Sequence, residues 1–352
     1  MTDPTVPPQA PTPPEGHGLL DGKVVVLTAA AGTGIGFATA KRCVEEGAKV
    51  VISDTHPRRL DEAAGALAEL PASGGRRPLA VTCNVTDEGQ VQHLYDAAVE
   101  HHGHFDVAVN NAGLGGQVDI VDMTDEQWSL VLDVTLTGTF RCTRAALRHF
   151  YHRGQGGVIV NNASVLGWRA QAGQAHYAAA KAGVMALTRC SAVEAAPHNV
   201  RINAVSPSLA LHPFLSKVMP EEELAELGRR EVFGRGAEVW EVANVIVFLA
   251  SIVVPLLKLL SLSWFLAAEM KGSPRGLLAR TRLHDIVDNI GRWSNIDVFM
   301  GSILAALVQF GVLYNVTAEP GAIAFAAVVL LTMIASRCYD PRLMWDAAEG
   351  KP

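Results

Sequence analysis

Between Lys23 and Glu46 the chain spells an apolar run (KVVVLT), a glycine-punctuated turn (Ala29-Ala30-Ala31-Gly32-Thr33-Gly34-Ile35-Gly36) and a helix pattern through Cys43. No other stretch constrains the fold as much. A continuous β-branched run suits a strand buried on both faces of a parallel sheet. Glycines let the backbone approach a pyrophosphate, and the helix N-terminus behind them offers free amide donors. Gly32, Thr33, Gly34, Ile35 and Gly36 are therefore candidate dinucleotide contacts. A second strand, Lys49 to Ser53, ends at Asp54. A carboxylate there accepts hydrogen bonds from the adenosine ribose hydroxyls and repels a 2′-phosphate, so the expected cofactor is NAD, with NADP disfavoured. Arg58 and Arg59 follow and read as an exposed first helical turn.

Further strands are expected at Leu79–Cys83, Asp106–Val109, Val158–Val160 and Val200–Val205, with a long helical stretch over Trp128–Phe150. Strands alternating with helices predict an α/β fold, a doubly wound parallel sheet. After the fifth strand come Asn161-Asn162-Ala163-Ser164, a glycine-punctuated loop, and a helix carrying Tyr177 and Lys181. An i, i+4 spacing puts those two side chains on one helical face. A nearby ammonium favours the phenolate and lowers a tyrosine pKa from about 10. Such a tyrosine can exchange a proton with a carbonyl oxygen, to which Ser164 can donate a hydrogen bond.

From Leu20 to Ser251 these motifs resemble the short-chain dehydrogenase/reductase family: the glycine turn, Asn110-Asn111-Ala112-Gly113, the spacing of Ser164 to Tyr177, and Tyr177-x-x-x-Lys181. The resemblance implies a Rossmann-type fold and hydride transfer between NAD(H) and a small-molecule secondary alcohol or ketone. Tyr177 would be the general acid/base. Ser164 would orient the substrate oxygen, and Lys181 would tune Tyr177 and bind the ribose hydroxyls. It assigns Asn84 and Val85 to the adenine, and Asn111, Ala112 and Gly113 to bracing the sheet beside the cofactor. Pro207 and Ser208 fall at a corner by the nicotinamide, and Leu209–Arg230 becomes the substrate-facing segment. There Leu211, Phe214, Leu215 and Met219 suggest an apolar substrate. Four positions depart from the family pattern: Ala30 and Ser208 replace glycines, Asn84 replaces an aspartate, and Thr135 replaces an asparagine tied to a proton relay. Thr135 is thus a fourth catalytic candidate.

The formal net charge of -6 gives no electrostatic case for nucleic acid. Five scattered cysteines without a CxxC pair read as reduced thiols, and no metal site is expected. His101, His102 and His104 read as a solvated helix end. Residues 1–19 are proline-rich and read as a disordered tail, with no signal peptide preceding them.

After Ser251 the family's last strand, with its Val-Thr-Gly turn, has no counterpart, which leaves the sixth strand as a sheet edge. That strand also helps build the family's dimer, so a homo-oligomer stays open. Residues 252–352 resemble the paraquat-inducible protein A family of inner-membrane proteins, through Gly291-Arg292-Trp293-Ser294-Asn295-Ile296-Asp297-Val298-Phe299 and Asp340-Pro341-Arg342-Leu343-Met344-Trp345-Asp346. A mean hydropathy of +0.21 agrees with a membrane portion. The segments 296–316 and 321–338, joined at Glu319-Pro320, suit a membrane hairpin. Basic residues on both flanks would put both hairpin ends in the cytoplasm. Ile252–Ala268 would lie in the interface or pack on protein. These readings give three regions: the tail, an NAD-binding domain over 20–251, and a membrane-associated segment over 252–352. They predict a cytoplasmic enzyme domain anchored to the inner membrane, with a junction of two unrelated parts near Ser251: a gene fusion, an assembly error or a chimera. The competing reading is a membrane-transport or envelope component whose truncated dehydrogenase domain is inert.

Overall fold

The computed structural model describes residues 10–212, 215 and 221–251. Six parallel strands form the main sheet: β1 (Val24–Leu27), β2 (Lys49–Asp54), β3 (Leu79–Thr82), β4 (Val107–Asn110), β5 (Gly157–Asn162) and β6 (Val200–Val205). Their order is β3-β2-β1-β4-β5-β6. β1 is central, with Val26 in register with Val51 on one side and Ala108 on the other. Every residue of β1 and β4 is buried, as their unbroken apolar text requires. Connections run outward from β1 to β2 and β3, then cross to β4 on the other side. The C-terminal ends of β1 and β4 therefore open a crevice at the topological switch point.

The helices are α1 (Ile35–Glu45), α2 (Pro57–Ala68), α3 (Glu88–His102), α4 (Asp125–Leu132), α5 (Gly138–Arg153) and α6 (Ala175–Ala195), with α7 (Glu221–Arg230) and α8 (Val239–Ser251) beyond them. Local chemistry sets their ends. Pro57 opens α2, Asp87 caps α3 by accepting from the Gln90 amide, and Gly103 at φ 80° stops α3. Thr124 and Gln127 make a capping box on α4. Between α3, α5 and the sheet, Val26, Val51, Leu94, Phe150 and Ile159 pack with Phe105, whose ring lies 5.2 Å from Tyr95 and 5.0 Å from Phe150.

Several expectations change. The helix expected over Trp128–Phe150 is three pieces, because Asp133–Thr137 widens into a π-helical turn between α4 and α5. The end of the N-terminal tail is docked on α1: Arg42 donates to the carbonyls of Pro14, at 2.5 Å, and Glu15, at 3.0 Å. Gly16 lies so close that a Cβ there would sit 2.1 Å from the Glu45 carbonyl oxygen. Residues 1–9 lie outside the described residues.

The membrane hairpin is withdrawn from the fold, and membrane anchoring goes with it. Among the described residues no helix is long and apolar enough to cross a membrane. The last of them, α8, has 13 residues, roughly 20 Å of helix against a hydrocarbon core of roughly 30 Å. Its Val242, Ala243, Ile246 and Val247 are already buried. The segments 252–268, 296–316 and 321–338 lie outside the described residues. Among the described residues β6 is an edge of the sheet. A separate parallel pair, β7 (Ala210–Leu211) with β8 (Ala237–Glu238), spans the segment expected to face substrate.

Candidate active site

The crevice is held together by side chains from three strand ends. Thr28 Oγ1 accepts from the amides of Asn111, at 3.0 Å, and Ala112, at 3.1 Å. Asn111 Nδ2 donates to the Ala29 carbonyl at 3.0 Å, and its Oδ1 accepts from Asn162 Nδ2 at 2.9 Å. Deeper in, Asn110 Nδ2 donates to Asn161 Oδ1 at 2.8 Å, and Asn161 Nδ2 to Thr188 Oγ1 at 2.9 Å. These buried amides tie β4, β5 and α6 together without a net charge.

The glycine turn crosses the mouth of the crevice. Gly32, at φ 112°, supplies the bend at a turn whose first family glycine is Ala30 here. Gly36 has no room for a side chain: a Cβ would sit 2.1 Å from the Ala29 carbonyl oxygen and 2.5 Å from Asn111 Nδ2. Gly34 is the N-cap of α1 and makes no side-chain cap, while a Cβ on it would meet nothing within 4 Å. Thr33 and Ile35 stand on either side of it. The first-turn amides of α1 therefore face open space, which fits a pyrophosphate.

Asp54 closes β2, and Asn84 and Val85 follow the neighbouring β3, so the three adenine-side candidates share one end of the crevice. Asp54 Oδ1 accepts from the His56 amide at 3.2 Å and lies 3.9 Å from Arg59. Burial pushes its carboxyl up, and the Arg59 guanidinium pulls it back. Arg59 is thus a partner of Asp54 as well as an exposed helical residue. These donors and acceptors fit NAD(H).

At the other end, Lys181 is buried on α6, and its Nζ donates to the Asn162 carbonyl at 2.5 Å. Burial pushes its pKa down to about 8. Tyr177 is half-buried, its ring centroid 5.5 Å from Lys181 Nζ. Burial raises the Tyr177 phenol, and a hydrogen bond with Ser164 lowers it. The lowering expected from the ammonium is not seen: the phenol is raised by burial, and only Ser164 opposes it. Ser164 Oγ also accepts from the Leu166 amide at 3.2 Å.

Thr135 is fully buried, and its Oγ1 accepts from the Leu114 amide at 2.9 Å and donates to the Leu114 carbonyl at 3.0 Å. A Cβ on Gly113 would lie 3.4 Å from Lys181 Nζ and 3.8 Å from Thr135 Oγ1, so the loop that Thr135 clamps runs beside the ammonium. The Pro207 carbonyl accepts from the Val165 amide at 3.0 Å, holding the corner against the end of β5. Ser208 Oγ donates to Glu231 at 2.5 Å. Of the apolar substrate-facing candidates, Phe214 and Met219 lie outside the described residues. Sequence reasoning missed Thr28, Asn162 and Leu114. Leu114 acts through backbone atoms, and Asn162 holds Lys181 through its carbonyl, which side-chain identity does not announce.

A doubly wound sheet with open helix amides at its switch point, and a serine, tyrosine and buried lysine grouped beside them, defines a dinucleotide-dependent oxidoreductase. A family model described as Enoyl-(Acyl carrier protein) reductase matches residues 29–254. The (5R,7aS)-5-hydroxy-7a-methyl-1-oxo-2,3,5,6,7,7a-hexahydro-1H-indene-carboxyl-CoA reductase of Mycobacterium tuberculosis is 64% identical over 69% of this chain and 91% of that relative. Cis-4-hydroxycyclohexanecarboxylate dehydrogenase of Sinomonas cyclohexanicum is 41% identical over 65% of this chain and 89% of its own length. The crystal structure of a short chain dehydrogenase from Mycobacterium smegmatis superposes with a TM-score of 0.61 at 59% identity, covering 69% of this chain and 91% of that one. The chain belongs to the short-chain dehydrogenase/reductase family and is an NAD(H)-dependent oxidoreductase acting on a CH–OH or ketone group.

A model described as Paraquat-inducible protein A matches residues 236–349, less than half of the chain. This match does not establish a membrane segment. It begins before α8, which is packed in the dehydrogenase core, while the dehydrogenase match runs on to residue 254. The two matches overlap, so the fusion of unrelated parts expected near Ser251 is also withdrawn.

Proposed function

We propose that residues 20–251 form the NAD(H)-binding catalytic unit and interconvert a ring ketone and a secondary alcohol on an alicyclic carboxylic acid, carried as its coenzyme A thioester. The observation that carries the chemistry is the grouping of Ser164, Tyr177 and the buried Lys181 at the end of β5. NAD(H), when bound, carries the hydride exchanged with the carbinol carbon. In the reducing direction Tyr177 gives its proton to the carbonyl oxygen, and Ser164 holds that oxygen by a hydrogen bond. Lys181, fixed by the Asn162 carbonyl, presents its remaining donors toward the ribose hydroxyls and stabilises negative charge developing on Tyr177. Gly32, Thr33, Gly34, Ile35 and Gly36 hold the pyrophosphate, Asp54 the adenosine ribose, and Asn84 and Val85 the adenine. Asn111, Ala112 and Gly113 brace the crevice, and Pro207 and Ser208 border the nicotinamide. Thr135 acts by positioning the Leu114 loop.

Two observations support the substrate class. The printed names of both similar relatives describe a ring hydroxyl on a carboxylated alicycle, and the more similar one acts on a coenzyme A ester. Around the site, Trp168 is 69% exposed and Leu114 38% exposed, an apolar rim suited to a ring. Steady-state assay of alicyclic keto acids, free and as thioesters, tests both parts. Tyr177→Phe should cut turnover by about 10²-fold or more while leaving the NADH dissociation constant in place. Undiminished turnover in that variant removes Tyr177 from the chemistry. Equal kcat/KM for free acid and thioester removes the coenzyme A part of the reading.

A further inference from the structure

At the opposite end of the sheet from the active site, a cavity of about 300 Å³ opens between the start of β2, the loop before β3 and the last turn of α3. Lys49 lines it, and Asp54 ends the same strand, roughly 17 Å away along an extended chain. Its polar wall is basic: Lys49, Arg76, Arg77, His101 and His102 converge from three separate elements, and none of the residues lining it is acidic. Arg77 is bound to Asp61 at 2.5 Å. Arg76 spends only its Nε, on the Ser73 carbonyl at 3.0 Å. Among the described residues the Lys49 ammonium has no ion-pair partner, and the enclosed Nε2 of His102 has no hydrogen-bond partner. The His101 ring stands edge-on to His102 at 4.5 Å. Burial, then the positive groups of His101, Lys49 and His104, hold the His102 imidazole below its usual range. Apart from the Arg77–Asp61 pair, the basic groups gathered here have no acidic partner among the residues lining the cavity, on a chain whose net charge is -6.

We propose that this cavity binds the phosphate group of a small phosphate monoester, at a site separate from the dinucleotide crevice. A phosphate suits it better than a carboxylate. Donors approach from several sides, as a tetrahedral oxyanion with three free oxygens needs, and a guanidinium fork matches two of those oxygens at once. The volume is at the lower end for small-molecule sites, enough for the phosphate and a compact organic body. Val44, Ala48, Val50 and Pro78 give that body an apolar floor. The ester is either a free metabolite or the 3′-phosphate of a coenzyme A compound, since the recognised chemistry is the same.

The test is calorimetric titration of the full-length chain at saturating NADH, which occupies the competing pyrophosphate loop. AMP should bind saturably and more tightly than adenosine by about tenfold or more. The double substitution Lys49→Gln and Arg76→Gln alters two exposed side chains, so the fold should hold. It should weaken AMP by about tenfold and leave the NADH dissociation constant unchanged. Preference for coenzyme A over dephospho-coenzyme A, lost in the same variant, supports the proposal with coenzyme A as the source; AMP binding without that preference supports it with a free ester. The proposal is overturned if adenosine binds as well as AMP, if AMP shows no saturable binding in the millimolar range, or if the double variant binds AMP as the parent does.

Discussion

Burying Lys181 places an ammonium where the carbonyl of Asn162 accepts from it at 2.5 Å, and burial holds its pKa near 8 instead of 10.5. Between those values the unfolded chain binds a proton that the folded chain has released. Stability should therefore rise with pH across that window, and this contribution is lost as pH falls through the folded value. Lys181→Met should remove the slope, a difference on the order of 3 kcal/mol across the window, read by urea unfolding at its two ends. A slope that survives in the variant assigns the titration to another group. Gly34 permits a cleaner separation of fold from binding. A methyl there meets nothing within 4 Å and the residue has φ -90°, so Gly34→Ala should leave stability within about 0.5 kcal/mol. The same methyl enters the space reserved for the pyrophosphate, so NADH affinity should fall by about tenfold or more. Gly36→Ala meets the Ala29 carbonyl at 2.1 Å and should lose stability as well as affinity. If Gly34→Ala bound NADH like the parent, the pyrophosphate would not pass over this turn.

The π-helical turn over Asp133–Thr137 shows what an element can hide from its sequence. Apolar periodicity over Trp128–Phe150 reads as one helix, and a single widened turn shifts that pattern too little to register. Thr135 sits in the widened turn, and its hydroxyl satisfies both backbone groups of Leu114. Family resemblance could flag this position as a replaced asparagine, but its partners are main-chain atoms 21 residues away. Nothing in the side chain of Leu114 announces that pairing. Thr135→Val keeps the shape and removes both bonds, leaving an amide and a carbonyl to be satisfied elsewhere. It should destabilise by about 1–3 kcal/mol and lower kcat, because the freed loop borders Lys181. Thr135→Ser keeps the hydroxyl and should restore most of both. Equal stability of the valine and serine variants in chemical unfolding would remove the clamp from the account. The docked stretch at Pro14–Gly16 was hidden for a similar reason. Arg42 holds its carbonyls, so composition gives only a proline-rich tail.

At the scale of the molecule, the alternation of strands and helices, the switch-point crevice and the grouping of Ser164, Tyr177 and Lys181 were all legible. Each rests on patterns that local chemistry enforces: β-branched runs, glycines at close approaches, side chains one helical turn apart. The C-terminal third was not legible in the same way, because hydrophobicity alone does not distinguish a helix buried in protein from one buried in lipid. Helix α8 is just as apolar, but there the family resemblance placed it in the dehydrogenase domain, and its Val242, Ala243, Ile246 and Val247 are buried. The sheet order makes a prediction about that remaining third. The proposed contacts to the pyrophosphate and the adenosine gather at the ends of β1, β2, β3 and β4, while Pro207 and Ser208, after the edge strand β6, border only the nicotinamide. The glycine turn and Asp54 are therefore at least one strand removed from the β6 edge. A chain stopped after Ser251 should bind NADH within about threefold of the full-length affinity, a difference under about 1 kcal/mol. The β6 edge, unpaired among the described residues, should let it self-associate with concentration by offering its amides and carbonyls to a second copy. Fluorescence titration and sedimentation of the two chains read both effects. Loss of NADH binding in a folded, monodisperse truncation would mean that residues beyond Ser251 help to build the dinucleotide site.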